Sequence, residues 1–177
     1  MMVLCLNPPR DTSGNRTASN VGRLAAALDV HETRLLNLCS CPSRSFVDFV
    51  SVGARPGSWL DSRIDLERNL ADFDSRSDLV VAAWGRSRFS GPTRTHLAAQ
   101  IDWVMALLES LGCSEVLTFG DSARHPSRWH QYVSDKHDRF PQVAHVSRYA
   151  AAIVRTTPTD LVADARARPT SIAGETK

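Results

Sequence analysis

The sequence predicts an α/β domain in three layers, with a mainly parallel four-stranded sheet at its centre. Three observations point there. Short apolar runs alternate with segments of helical periodicity over the first two thirds of the chain. The clearest run, LVVAAW at 79–84, is continuous rather than alternating, as expected of a strand covered on both faces. Each run stops at a turn former, namely Asn7, Asn37, Gly85 or Gly120, where a crossover to a helix can begin. At 177 residues the chain has the length of one ordinary domain.

Val3 to Leu6 is the first strand, halted by Asn7, Pro8 and Pro9 and followed by a polar loop that holds Gly14. Val21, Leu24, Ala25 and Leu28 recur at steps of three and four, which predicts a helix over 17–28. Arg34 to Leu38 is the second strand, ended by the turn-rich CSCPSRS. Asp61 to Phe73 reads as an amphipathic helix, with Ile64 and Leu66 near its start and Leu70 and Phe73 near its end. Leu79 to Trp84 is the third strand, closed by Gly85. Thr93 or Thr95 can cap a long helix that runs through Leu111, with Gly112 suited to its C-terminal turn. Glu115 to Phe119 is the fourth strand, and Gly120 opens the loop DSARHPSRW. Tyr149 to Arg155 adds a strand or a short helix. Residues 1–155 are thus expected to form the α/β domain, and 156–177 a C-terminal helix and tail, frayed from about Pro169.

Composition narrows the function. Hydrophobic residues are 42% and charged residues 23%, the balance of a soluble globule and not of a disordered or collagen-like chain. Twenty-one basic against nineteen acidic residues give a net charge of +2, which excludes a polybasic protein. Lys136 and Lys177 are the only lysines, so nearly all positive charge is guanidinium. Coding bias explains such a preference, and so does a need for bidentate phosphate contacts. Ligands of open parallel sheets bind at the carboxyl ends of the strands. The loops at those ends carry Arg10, Arg16, Arg44, Arg86, Arg88, Arg94, Arg124 and Arg128.

No apolar stretch is long enough to cross a membrane, and the start MMVLCLNPPR lacks the basic region of a signal peptide, so a cytoplasmic protein is expected. Cys5, Cys39, Cys41 and Cys113 contain no CxxC pair, so reduced, mostly buried thiols are expected, with no metal and no cofactor. GxSxG, Walker A and GxGxxG are absent, which removes the hydrolase triad and the common nucleotide loops.

Four strand-end motifs occur in order: LNP at 6–8, LLNLCS at 35–40, VVAAWG at 80–85 and RHPS at 124–127. Together they resemble the domain-of-unknown-function family 1643, over about residues 3–130. More distantly, the set is similar to the uracil-DNA glycosylase superfamily. That resemblance implies a glycosylase-like fold and an N-glycosidic hydrolase acting on DNA or a nucleotide. It implies that Asn7, with Pro8, stands where a residue positions water, and that Asn37 faces a flipped base. It places Trp84-Gly85 at the end of the third strand and makes His125 the donor to the leaving base. Apart from the resemblance, their place in the strand-end loops makes Arg10, Arg86 and Arg124 candidates to bind substrate. The chain departs from the superfamily in having no glycine two residues before Asn7-Pro8 and no aromatic residue after them. The segment 42–78 has no assigned counterpart.

Chemistry gives each match a reason. Cleavage leaves an anionic base, and an imidazole donor near its oxygen stabilises the developing charge. Asn37 offers one donor group and one acceptor, enough to read one edge of a pyrimidine. An amide at position 7 orients water but takes no proton, so an enzyme with Asn7 is slow, or the protein is a non-catalytic nucleic-acid or nucleotide binding module. Each residue also has a plainer reading: Asn7-Pro8 as a strand-stopping turn, Asn37 as a backbone cap, Trp84 as core and His125 as an ordinary loop histidine. A scaffold role has no positive feature behind it.

Overall fold

The computed structural model describes residues 1–8, 16–43, 45–85, 89–137, 139–144 and 147–167. Gly14, Arg10, Arg44, Arg86, Arg88 and the tail from Pro169 lie outside these, so the expectations placed on them have no structural counterpart here.

In chain order the elements are β1 (Met2–Cys5), α1 (Arg16–Ala27), β2 (Arg34–Asn37), α2 (Phe46–Gly53), α3 (Gly57–Leu70), β3 (Val80–Ala83), α4 (Gly91–Ser110), β4 (Val116–Phe119), α5 (Trp129–Tyr132), α6 (Arg148–Ala151), β5 (Ile153–Thr156) and α7 (Pro158–Arg166). A single 3-10 turn, Pro126–Arg128, precedes α5. The sheet order is β2-β1-β3-β4-β5. The first three pairings are parallel and the last, β4 with β5, is antiparallel.

The expected four-stranded sheet is therefore corrected to a mixed one of five strands. Residues 149–155, read as a strand or a helix, supply both: α6 ends at Ala151 and β5 begins at Ile153. The direction of β5 has a physical cause. Phe119 leaves β4 at the carboxyl edge, and α5 and α6 are four residues each, about 6 Å long. The connection never travels back to the opposite edge, so Ile153 enters beside Phe119 and runs the other way.

Side chains alternate between the two faces of the sheet and divide the core into two layers. Met2, Leu4, Val80, Ala82 and Val116 face α3 and α4, where Leu66, Leu70, Ile101, Met105 and Leu108 pack. Val3, Cys5, Val81, Ala83, Leu117 and Phe119 face α1 and the segment after β4, meeting Val21, Leu24, Trp129 and Tyr149. Each fully buried Leu, Ile or Met contributes roughly 1.5–3 kcal/mol, so the long helix α4, with Ile101, Val104, Met105 and Leu108 all at 1% exposure or less, anchors one whole face.

Several boundaries differ from the sequence reading. The third helix starts at Gly57, because Trp59 is buried and its indole N–H donates to the Gly53 carbonyl at 2.8 Å. The segment before it holds α2, whose N-terminus is capped by Ser45 Oγ accepting from the Asp48 amide. The long helix starts at Gly91 behind Ser90, and Thr93 does not cap it; its hydroxyl donates to the Val50 carbonyl and ties α4 to α2. Gly112 follows that helix at φ +82°, a conformation that glycine adopts freely. Residues 158–166 form a helix docked on α4, with Leu161 in the core and Arg94 donating to the carbonyls of Arg166 and Ala167.

Candidate functional site at the carboxyl edge of the sheet

Parallel register brings the strand ends level. Cys5 pairs with Asn37 on one side and with Ala83 on the other. The chain crosses from β1 to β2 one way and from β3 to β4 the other, so β1 and β3 flank the point where connections diverge. Crevices form at that point in open α/β sheets. Asn7 lies two residues past β1 there, and Trp84-Gly85 lies just past β3. With strands spaced about 4.8 Å apart, the end of β2 stands about 10 Å from the end of β3.

Asn7 is held within the protein. Its Nδ2 donates to the Pro8 carbonyl at 3.0 Å and to Ser43 Oγ at 2.9 Å, linking the loop after β1 to the one after β2. Asn37 is half-buried and stands on the same sheet face as Cys5 and Ala83. Its amide has no hydrogen-bond partner among the described residues. It opens with Pro8 onto a cleft of about 260 Å³ along the outer edge of β2, which Leu35, Ser40, Asp65 and Leu66 also line. Most polar groups around that cleft are already engaged. Ser40 donates to the Ser58 carbonyl, Asn69 to the Asp65 carbonyl, and Asp65 pairs with Arg68. Asn37 is the lining side chain with neither its donor nor its acceptor engaged among the described residues.

Trp84 is buried on the other sheet face, among the residues that pack against α3 and α4. The structure makes it a wall of the core beneath the edge. Gly85, by contrast, meets the histidine directly. At φ +90° it turns the chain, and a Cβ built on it would lie 3.3 Å from His125 Cβ. Its amide donates to the Ala123 carbonyl, so the loop after β4 is stitched against the end of β3.

His125 precedes the 3-10 turn and caps it: its Nδ1 accepts from the Ser127 amide at 3.3 Å and lies 2.9 Å from Ser127 Oγ. The Ser127 N–H aimed at Nδ1 favours a lone pair there and the ring hydrogen on Nε2, with the Ser127 hydroxyl free to rotate to suit. Burial, and next the positive charge of Arg128, hold the imidazole below its ordinary value of 6.5, so the ring is a neutral Nε2–H donor near neutral pH.

The arginines at this edge divide. Arg124 is built in: its Nη2 donates to Asp121 Oδ1 at 2.7 Å, its guanidinium lies 4.5 Å over the Tyr132 ring, and its carbonyl accepts the Trp129 indole N–H. Its Nε is buried without a partner among the described residues. Arg94 caps the last helix, and Arg128 donates to Gln131. Arg16 is exposed at the start of α1. Arg10 and Arg86 fall outside the described residues.

Sequence reasoning missed Ser43 and Asn20. Asn20 is 2% exposed, donates from Nδ2 to the Pro126 carbonyl at 2.8 Å, and accepts from the Tyr149 hydroxyl at 2.9 Å. One clue was available, since Asn20 is the polar residue on a helical face shared with Val21, Leu24 and Ala25.

Burial pushes the Cys5 thiol up to about 12 and that of Cys39 to about 11, so neither serves as a nucleophile at neutral pH. No three His, Cys, Asp or Glu side chains among the described residues gather closely enough to hold a metal ion. No helix among them is long and apolar enough to cross a membrane. No family model, curated protein or solved structure matches the chain.

Proposed function

We propose that the carboxyl edge recognises a nucleobase, in DNA or in a nucleotide, and that the protein is an N-glycosidic hydrolase of the DNA-glycosylase kind, working in the cytoplasm. One observation carries the reading. A neutral imidazole, its Nε2–H favoured by the Ser127 amide on Nδ1, lies against Gly85, and the Asn37 amide, without a partner among the described residues, stands on the same edge two strands away. The motifs that hold these residues are those resembling family 1643 and the uracil-DNA glycosylase superfamily.

The roles follow from the groups. Asn37 donates and accepts along the polar edge of the base. His125 donates from Nε2 to the base oxygen as the glycosidic bond breaks, and a donor of this kind lowers the barrier by roughly 3–4 kcal/mol. It acts as a neutral hydrogen-bond donor, so the ring need not be protonated to the imidazolium before the reaction. Asn7, with Nδ2 engaged by Pro8 and Ser43, keeps its carbonyl oxygen to hold the attacking water. That oxygen orients the water without removing its proton, so turnover is slow.

The same tether favours a second reading. An amide fixed on Ser43 suits a rigid pocket wall, and a protein that binds the base without cleaving it needs nothing more. Incubation with single- and double-stranded oligonucleotides carrying uracil, hypoxanthine or 5-hydroxymethyluracil separates the two. The hydrolase releases free base, and His125→Ala abolishes the release. Binding without release, weakened in His125→Ala, assigns the module. Neither binding nor release, with a folded protein, removes both.

A further inference from the structure

We propose that Asn20 is the positioning residue of the His125 turn: through its side-chain amide, helix α1 sets where the imidazole stands over the strand edge. The inference rests on the reading of His125 as a donor, but it concerns the ring itself and is tested on the ring.

Asn20 occupies a place where an apolar residue would cost less. It is almost fully buried on the apolar face of α1, between the sheet and the segment after β4. An amide buried there is tolerated because its groups are satisfied. Nδ2 donates to the Pro126 carbonyl at 2.8 Å, and Oδ1 accepts from the Tyr149 hydroxyl at 2.9 Å and from Arg23 Nη1 at 3.3 Å. Two donors on Oδ1 fix which way the amide faces, so Nδ2 can only point at Pro126.

The place where that bond lands gives it a function. Pro126 is bonded to His125 and opens the 3-10 turn that the imidazole caps. The turn is closed from within by Nδ1 on the Ser127 amide and by the His125 carbonyl accepting from the Arg128 amide at 2.9 Å. Gly85 supports it from the β3 side and brings no charge. Asn20 supports it from the α1 side, with Arg23 behind. Within the turn, Arg128 is the charge that acts on the ring, and the neighbouring Arg124 is paired with Asp121. Without the Asn20 bond the Pro126 carbonyl loses its donor among the described residues, and packing is left to hold α1 against the turn. The imidazole then gains water and its two tautomers mix.

Long-range proton–nitrogen NMR of the His125 ring, from about pH 5 to 8, reads this directly in the wild type, Tyr149→Phe, Asn20→Ser and Asn20→Ala. The wild type keeps hydrogen on Nε2 and stays neutral below the ordinary imidazole value. Tyr149→Phe leaves the Pro126 bond but frees the amide to turn, and its titration moves up slightly. Asn20→Ser and Asn20→Ala move it further toward 6.5 and mix the tautomers. Any oligonucleotide binding drops roughly tenfold, the scale of one hydrogen bond. A lower Tm in Asn20→Ser with an unchanged His125 titration and tautomer overturns the proposal and leaves Asn20 as packing alone. Should Asn20→Ala fail to fold, Asn20→Ser and Tyr149→Phe decide the matter. A ring that responds as described in a protein that binds no nucleobase supports the positioning and rejects the functional reading instead.

Discussion

At His125 the same ring closes a turn and presents a donor, and the two tasks reinforce each other. Capping the Ser127 amide costs Nδ1 its freedom and leaves the hydrogen on Nε2. The sign of the pH effect follows. The folded ring sits below 6.5 while the unfolded ring titrates near it, so the unfolded chain binds more protons in that interval. Stability from this group is full above about pH 6.5 and is lost as pH falls toward the folded value. Urea titrations of the wild type and His125→Gln at several pH values test this. The wild type weakens on acidification more steeply than the variant, and parallel slopes would contradict the assignment. Gly85 gives a second residue-scale prediction. At φ +90° an alanine is strained, and its Cβ is pressed against His125. Gly85→Ala therefore costs about 1–3 kcal/mol in chemical denaturation and disturbs the His125 ring signals. A neutral substitution would show that the loop after β4 yields. The sequence offered Asn7, Asn37, Gly85 and His125 through their motifs, since strand-end polar residues and turn glycines stand out against apolar runs. Asn20 was hidden because its partners, Pro126 and Tyr149, come from distant parts of the chain, and no spacing records such a pair.

Among the elements, the strand covered on both faces was the most legible and the short antiparallel strand at the sheet margin the least. VVAA in β3 is buried throughout, so its apolar run is unbroken. Ile153–Thr156 sits at the sheet margin with Val154 and Arg155 exposed, and its four residues carry little pattern. Helix α2 escaped notice for a related reason: eight residues, with Phe46 and Val47 exposed, show no clean stripe. The loop after β4 depends on α5. Trp129 is fully buried, stacks on Phe119 at 4.6 Å and donates to the Arg124 carbonyl. Trp129→Ala should cost about 3–5 kcal/mol and loosen the His125 loop with it. A loss below 1 kcal/mol would mean that the site stands without this support. Leu161→Ala tests the docking of α7 in the same way. Its core position predicts a loss of about 2–5 kcal/mol, and a neutral result would make 158–166 an appendage.

For the whole molecule, charge bears on the class of ligand. A net charge of +2 gives little long-range attraction for a polynucleotide, so binding rests on local contacts. Of the arginines that the sequence places at the ligand edge, Arg124 and Arg94 are committed to internal partners. Arg124→Ala is therefore expected to lower Tm and to leave the salt dependence of oligonucleotide binding nearly unchanged. Arg86→Ala, if that side chain contacts a phosphate, should reduce the log–log salt slope by about 0.7 for a single strand. A slope lowered by Arg124→Ala would return that residue to the phosphate contacts.

If Asn7, Asn37, Gly85 and His125 serve one ligand, amide chemical-shift mapping sees them respond to it together. Isotope-labelled protein is titrated with uridine and then with a short uracil-containing single strand, a measurement that does not depend on turnover. Shifts are expected to concentrate on residues 5–8, 37–40, 84–85 and 122–128, with the His125 ring among the largest, and Asn37→Ala is expected to remove them together. Shifts gathered elsewhere, or a spectrum unmoved by both ligands at millimolar concentration, would contradict a single shared ligand.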